Sequence, residues 1–191
     1  MKKLLKTIGY ILLLLIIYFF FQVVVTVALL IFTGYSGFKE GALLTVILAV
    51  PLTLLVYLPI IKKKQFTVSN MGFKKKLSVK DILPLVLIAI ALQFLNQYFL
   101  TFLNSFDFLQ GAFKKFVESS EILNEGSFAL KFIGIVICAP FIEELIFRVL
   151  IQKDLEKKKN IRFAIVVQAI LFGLYHLLLI QAIYAFFIGL I

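Results

Sequence analysis

A chain of 191 residues that is 62% hydrophobic and 16% charged, with 22 Phe, no Trp and a net charge of +10, is not a water-soluble globular domain, for which about 45–50% apolar and about 25% charged residues are ordinary. Segments of about 20 mostly apolar residues cross a bilayer, and the sequence offers five with a broken sixth. The excess of basic residues does not imply a nucleic-acid partner, because the lysines lie in short clusters between apolar runs rather than along one face.

The first apolar run, 8–32, follows Lys2, Lys3 and Lys6. It is too long for a signal-peptide core and no A-x-A-like cleavage site follows, so it is expected to stay as a transmembrane helix. The second, 42–61, contains Pro51, which a membrane helix accommodates when neighbours satisfy the freed carbonyl. The third, 82–103, has Pro84 in its first turn, where a missing N–H costs nothing. The fourth covers 128–151 and the fifth 163–180. From Ala182 only ten residues remain to Ile191, about 15 Å of helix and half of a hydrocarbon core. The fold class expected is all-α: a multi-pass membrane protein of five full transmembrane helices plus the start of a sixth.

The basic residues alternate between connections. Lys2, Lys3 and Lys6, then Lys62, Lys63, Lys64, Lys74, Lys75, Lys76 and Lys80, then Lys153, Lys157, Lys158, Lys159 and Arg162 account for 15 of the 20. The intervening connections hold only Lys39, Lys114 and Lys115 beside Glu40, Asp107, Glu118, Glu121 and Glu125. Cytoplasmic loops collect Lys and Arg, so the N-terminus is expected in the cytoplasm and the protein in the cell membrane. In the long outer connection Phe106, Leu109, Phe113, Phe116 and Val117 recur at helical spacing. They fit a short interfacial helix or a loop with its Phe residues packed on the bundle.

Four ionised residues remain inside or beside apolar runs: Lys131, Glu143, Glu144 and Arg148. Lys131 lies near a helix end and can snorkel. The other three each cost about 2.5–3.5 kcal/mol on insertion scales, and such residues usually face a polar interior and mark function. Glu144 and Arg148 are four apart, on one helix face, and can pair. Glu143 is about 100° away around the helix and needs another partner. The one histidine, His176, lies in the fifth run, and a carboxylate with an imidazole on successive membrane helices can take a proton from water. The alternative is a helix-gluing Glu144–Arg148 pair and a His176 that only hydrogen-bonds its own helix. No cofactor is predicted; zinc is the weaker alternative, since a catalytic zinc takes three protein ligands. The lone Cys138 reads as packing.

The strings Ala139-Pro140-Phe141-Ile142-Glu143-Glu144-Leu145-Ile146-Phe147-Arg148 and Phe172-Gly173-Leu174-Tyr175-His176 resemble those of the CAAX protease and bacteriocin-processing family of intramembrane endopeptidases. The motif E-E-x-x-x-R is matched at Glu143, Glu144 and Arg148, and F-x-x-x-H at Phe172 and His176. The resemblance covers about 128–191, with Val149 where the family commonly has Gly. It implies that Glu143 activates water with His176 as its partner, that Glu144 and Arg148 support them, and that the substrate is a peptide or protein at the membrane. The family's third motif, H-x-x-x-N, does not occur before Ile191, so the chain is expected to be a truncated form carrying part of a site; in the family that motif is thought to help bind the developing oxyanion. The division implied is 1–127, transmembrane helices 1–3 with their loops, and 128–191, the protease-like core. A non-catalytic membrane scaffold or bacteriocin self-immunity protein of the same fold is the alternative. A transporter is disfavoured because the intramembrane charges cluster at one point.

Depth sets a condition on this reading. With the fourth span ending near Ile151, Glu143 lies about 12 Å from that end, whereas His176 lies about 20 Å into a fifth span that starts at Phe163. The two meet if the fourth helix runs on through Leu155, if the fifth starts later, or if the helices tilt.

Overall fold

The computed structural model describes residues 2–34, 41–67, 78–124 and 126–191, all helical or connecting segments. In chain order the helices are α1 (Lys2–Thr33), α2 (Gly41–Lys63), α3 (Val79–Asn104), α4 (Gln110–Asn124), α5 (the continuous rod 128–156), α6 (Ile161–Tyr175) and α7 (Leu179–Gly189). Among the described residues three stretches, Leu5–Thr33, Gly41–Lys63 and Val79–Asn104, are long and apolar enough to cross a membrane. Starts are capped where the sequence offers a short polar side chain. Ser78 and Asp81 form a reciprocal capping box at α3, and Asn160 Oδ1 accepts from the Phe163 N–H at 2.8 Å to open α6.

The core lies between α1, α2, α5 and α6, with Leu14, Tyr18, Tyr57, Ile146, Phe147 and Leu150 buried in it. Two polar contacts join α1 to α2: Tyr57 donates to the Leu14 carbonyl at 2.6 Å, and the Thr26 and Thr45 hydroxyls lie 3.1 Å apart. In hydrocarbon, interhelical bonds of this kind contribute about 0.6–2 kcal/mol each. By contrast α3 presents its length outward, with none of its most apolar stretch buried. It meets the bundle near its C-terminal end, where Phe99 packs edge-on against Phe187 at 5.3 Å. A surface of that kind is unstable in water but matches lipid tails.

Three basic segments meet at one end of the bundle. Asp154, 4% exposed, accepts from Lys64 Nζ and Lys158 Nζ, both at 2.5 Å. Lys158 also donates to Thr7 Oγ1 at 2.9 Å, Lys157 donates to the Lys64 carbonyl at 3.2 Å, and the Lys64 ammonium sits 4.2 Å from the centre of the Tyr10 ring. Lys64, Lys157, Lys158 and the first turns of α1 thus share one end, in keeping with the alternation of the basic clusters; Lys39, Lys74, Lys75 and Lys76 lie outside the described residues. Burial alone would raise the Asp154 carboxyl, but hydrogen bonds and attraction from Lys158 and Lys64 outweigh it and hold the group below the usual carboxylate range. Because the folded value is depressed, this stabilisation is full above the unfolded value of about 3.9 and is lost as pH falls through the folded one. Asp154→Asn should therefore lower stability at neutral pH by about 1–3 kcal/mol, less than for a fully buried pair because the lysines stay partly exposed. Melting curves at descending pH check this: the variant should lose less stability than the parent below about pH 4.

Two expectations need correction. The fifth span does not reach Ile180, because α6 stops at Tyr175 after 15 residues, about 22 Å and short of a hydrocarbon core of about 30 Å. The chain turns through His176, Leu177 and Leu178, with Leu177 at φ 61°, and returns as α7, forming a close hairpin on α6. The outer connection contains a helix, α4, and also packs on the bundle: Phe113 and Phe116 join a small cluster with Leu103, Leu109 and Ile180, and Phe116 meets Tyr184 edge-on at 6.0 Å. The loop reading of that segment is thus replaced by a helix, whose Phe residues pack on the bundle.

Candidate active site

Pro140 has no N–H to donate, and its ring crowds the carbonyl four residues back, which would break an ordinary α-helix. The rod α5 avoids this by widening just before it. Phe132–Cys138 is π-helical, and the Ala139 N–H reaches back five residues to the Gly134 carbonyl. A second π-helical stretch, Glu144–Gln152, begins directly after Glu143. Wide turns of this kind are frequent at functional sites.

The rod is also longer than its apolar run. It continues through Glu156 because polar side chains beyond Ile151 pair along it: Gln152 donates to Glu156 Oε1 at 2.8 Å and Lys153 meets Glu156 at 3.1 Å. Glu143 then lies 13 residues, about 20 Å, from the end of α5, and His176 lies 15 residues, about 22 Å, beyond the start of α6. The depths agree, and the carboxylate and imidazole meet: Glu143 Oε1 and His176 Nε2 are 4.0 Å apart.

His176 is the residue on which α6 ends. Its Nδ1 lies 2.8 Å from the Phe172 carbonyl. A carbonyl can only accept, so Nδ1 carries a proton, and in the neutral ring Nε2 holds its lone pair toward Glu143. Phe172 stands edge-on to the imidazole at 4.8 Å and Tyr175 at 5.2 Å, and Phe147 contacts both at 5.0 and 5.4 Å. Ring packing fixes the orientation of the histidine. The motif Phe therefore has two tasks, one through its ring and one through its carbonyl.

Glu144 and Arg148 approach to 3.8 Å, with the Glu144 side chain 69% exposed and that of Arg148 28% exposed. Arg148 also reaches Gln152 Oε1 at 3.4 Å, which continues to Glu156. A row of polar side chains at four-residue spacing thus runs from the site to the lysine-rich end. Glu143, Glu144, Arg148, Phe172, Gln168 and Gly189 line one cavity of about 180 Å³. All five residues singled out from the sequence belong to this neighbourhood: Glu143 and His176 face each other, Glu144 faces Arg148, and Phe172 holds His176. Gln168 was missed, although a Gln within an apolar run, one turn before the motif Phe, is the kind of signal that could have marked it.

Among the described residues no three His, Cys, Asp or Glu side chains are grouped to hold a metal ion. Glu143 and His176 offer two donors, while Glu144 is turned to Arg148. This set falls short of the three protein ligands of a catalytic zinc, so no step is drawn through a metal.

The two motifs occupy consecutive helices at one depth, with their charged members in contact. Residues 125–191 match the family model of the type II CAAX prenyl endopeptidases, Rce1-like. The match spans the rod, the α6–α7 hairpin and every residue of the site, and it begins within three residues of the start of α5. By its description that family is one of endopeptidases. No curated protein and no solved structure matches the chain.

Proposed function

We propose that the protein is an intramembrane endopeptidase in which Glu143 and His176 activate a water molecule against a peptide bond. The observation that carries this reading is the 4.0 Å approach of Glu143 Oε1 to His176 Nε2, the ring nitrogen not engaged by the Phe172 carbonyl. A water about 2.8 Å from both atoms makes an angle of about 90° between them, a workable hydrogen-bonding geometry. Glu143 takes one proton from that water, and the hydroxide adds to the carbonyl carbon. The proton then passes to the amide nitrogen as the C–N bond breaks, so that water's OH stays on the acyl product and its H on the amine. Arg148, held by Glu144 and Gln152, places positive charge at the cavity wall where negative charge develops. The family match supports a prenylated C-terminal peptide as substrate, and the core 128–191 supplies the chemistry while α1 and α2 pack behind it. Hydrolysis of an S-farnesylated Cys-aliphatic-aliphatic-X peptide by the full chain containing residues 1–191, in lipid discs, tests the reading, with Glu143→Gln as the inactive control.

The lysine-rich end faces the cytoplasm of a cell whose surface membrane holds the protein. The convergence of Lys64, Lys157 and Lys158 with the N-terminal helix supports this orientation. In a Cys138→Ala background, a cysteine replacing Lys115 should react with an impermeant maleimide on intact cells, and one replacing Lys63 only after permeabilisation. The reverse pattern would invert the topology.

A further inference from the structure

Gln168 is 1% exposed and belongs to no hydrogen bond among the described residues; its Oε1 is sealed from solvent and has no partner. Leaving a buried carboxamide unmatched is costly, and such groups call for an explanation. This one lines the same cavity as Glu143, Glu144 and Arg148. Gln168, Phe172 and His176 stand at i, i+4 and i+8 on α6, so Gln168 lies two turns, about 12 Å, from the histidine toward the lysine-rich end. That distance keeps it away from the water held by Glu143 and His176. It equals three to four residues of extended peptide, at about 3.3 Å per residue.

We infer that Gln168 is a substrate-binding residue, whose carboxamide hydrogen-bonds a backbone amide of the bound peptide three or four residues from the bond that is cut. The carboxamide offers one acceptor and a donor pair, and a peptide group offers the matching carbonyl and N–H. A peptide that enters hydrocarbon brings unsatisfied backbone groups that cannot return to water. Gln168 satisfies one of them in a way indifferent to side chains, and the peptide in turn satisfies the orphaned Oε1. Side-chain selectivity at that position is therefore weak, whereas the backbone N–H is required. This inference rests on the peptidase reading, and binding without turnover separates the two.

The test uses Gln168→Met, which keeps length and bulk but removes both hydrogen-bonding groups, in a Glu143→Gln background that holds peptide without cutting it. The probe is a fluorescent S-farnesylated peptide in lipid discs, in parallel with a set bearing a single backbone N-methyl group at each position in turn. Gln168→Met should weaken binding of the unmodified peptide about tenfold. One N-methyl position, three or four residues from the scissile bond, should weaken binding to the Glu143→Gln protein by the same factor and have no further effect on the double variant. The melting temperature should hold or rise, since an unmatched polar group has been removed. Equal binding by the two proteins at every N-methyl position would overturn the inference and leave the peptidase reading intact. A loss of binding tracked by a fall in melting temperature, with no N-methyl position singled out, would assign Gln168 a structural role and overturn it equally. Absence of peptide cleavage by the parent protein would instead overturn the peptidase reading, and the N-methyl series would still decide whether Gln168 binds peptide.

Discussion

Gly173→Ala should lower the stability of the detergent-solubilised protein by about 1–3 kcal/mol, the usual cost of inserting a methyl group into a full contact. A Cβ at this position would lie 2.7 Å from the Ala182 carbonyl oxygen and 3.2 Å from Phe186 Cβ. The nearer obstacle is backbone, which cannot rotate aside, so the only relief is to separate α6 from α7. The same hairpin is tight again at Gly189, where a Cβ would stand 3.0 Å from Ala169 Cα. Small residues at a membrane helix crossing let backbones approach, and here the approach takes the place of length: α6 and α7 are each too short to cross alone. Gly173→Leu should go further and prevent the hairpin from closing, with loss of folded protein. Because α7 contributes Ile188 and Gly189 to the cavity wall, cleavage should fall in Gly173→Ala although residue 173 touches no reacting atom. Gly9→Ala is the control, since nothing lies within 4 Å of the added methyl. A drop of about 2–12 °C in melting temperature for Gly173→Ala is expected. A midpoint equal to that of Gly9→Ala would contradict the close packing of the hairpin.

Much of this arrangement was legible in the sequence because hydrocarbon penalises charge. Glu143, Glu144 and Arg148 stood out within an apolar run, and their spacing correctly separated the Glu144–Arg148 pair from a Glu143 that needed another partner. The lysine clusters likewise indicated which connections share an end, and Asp154 is the residue that ties them. Hydropathy failed at the ends of elements. It placed the end of the fourth run at Ile151 because Lys153 and Asp154 follow, yet the helix continues for another turn on polar pairs that hydropathy counts as breaks. It carried the fifth run to Ile180 because no Gly or Pro marks the stop. The chain turns instead at Leu177, a residue that pays a steric penalty in the left-handed region and carries no sequence signal for it. The widened turns around Pro140 were invisible for a related reason: a proline in a membrane helix is tolerated in several ways, and only the neighbouring backbone decides which.

The second large effect concerns Glu143 itself. Gln has the size of Glu and retains hydrogen-bonding groups, so Glu143→Gln should leave the approach to His176 in place. Removing a charge from the membrane interior should ease insertion. What is lost is the ability to accept a proton from water, and general-base catalysis contributes about 10²–10⁴-fold. Arg148→Ala separates chemistry from fold, because it strips Glu144 of its cation and Gln152 of a donor and should reduce stability together with rate. A non-catalytic scaffold of the same fold would respond in the opposite order, silent to Glu143→Gln and damaged by Arg148→Ala through folding alone. The most direct measurement is therefore the rate at which the full chain and its Glu143→Gln variant, in lipid discs, hydrolyse an S-farnesylated peptide, with melting temperatures recorded on the same samples. The account predicts a rate at least about 100-fold lower at an unchanged melting temperature; hydrolysis by Glu143→Gln at the parent rate would contradict it.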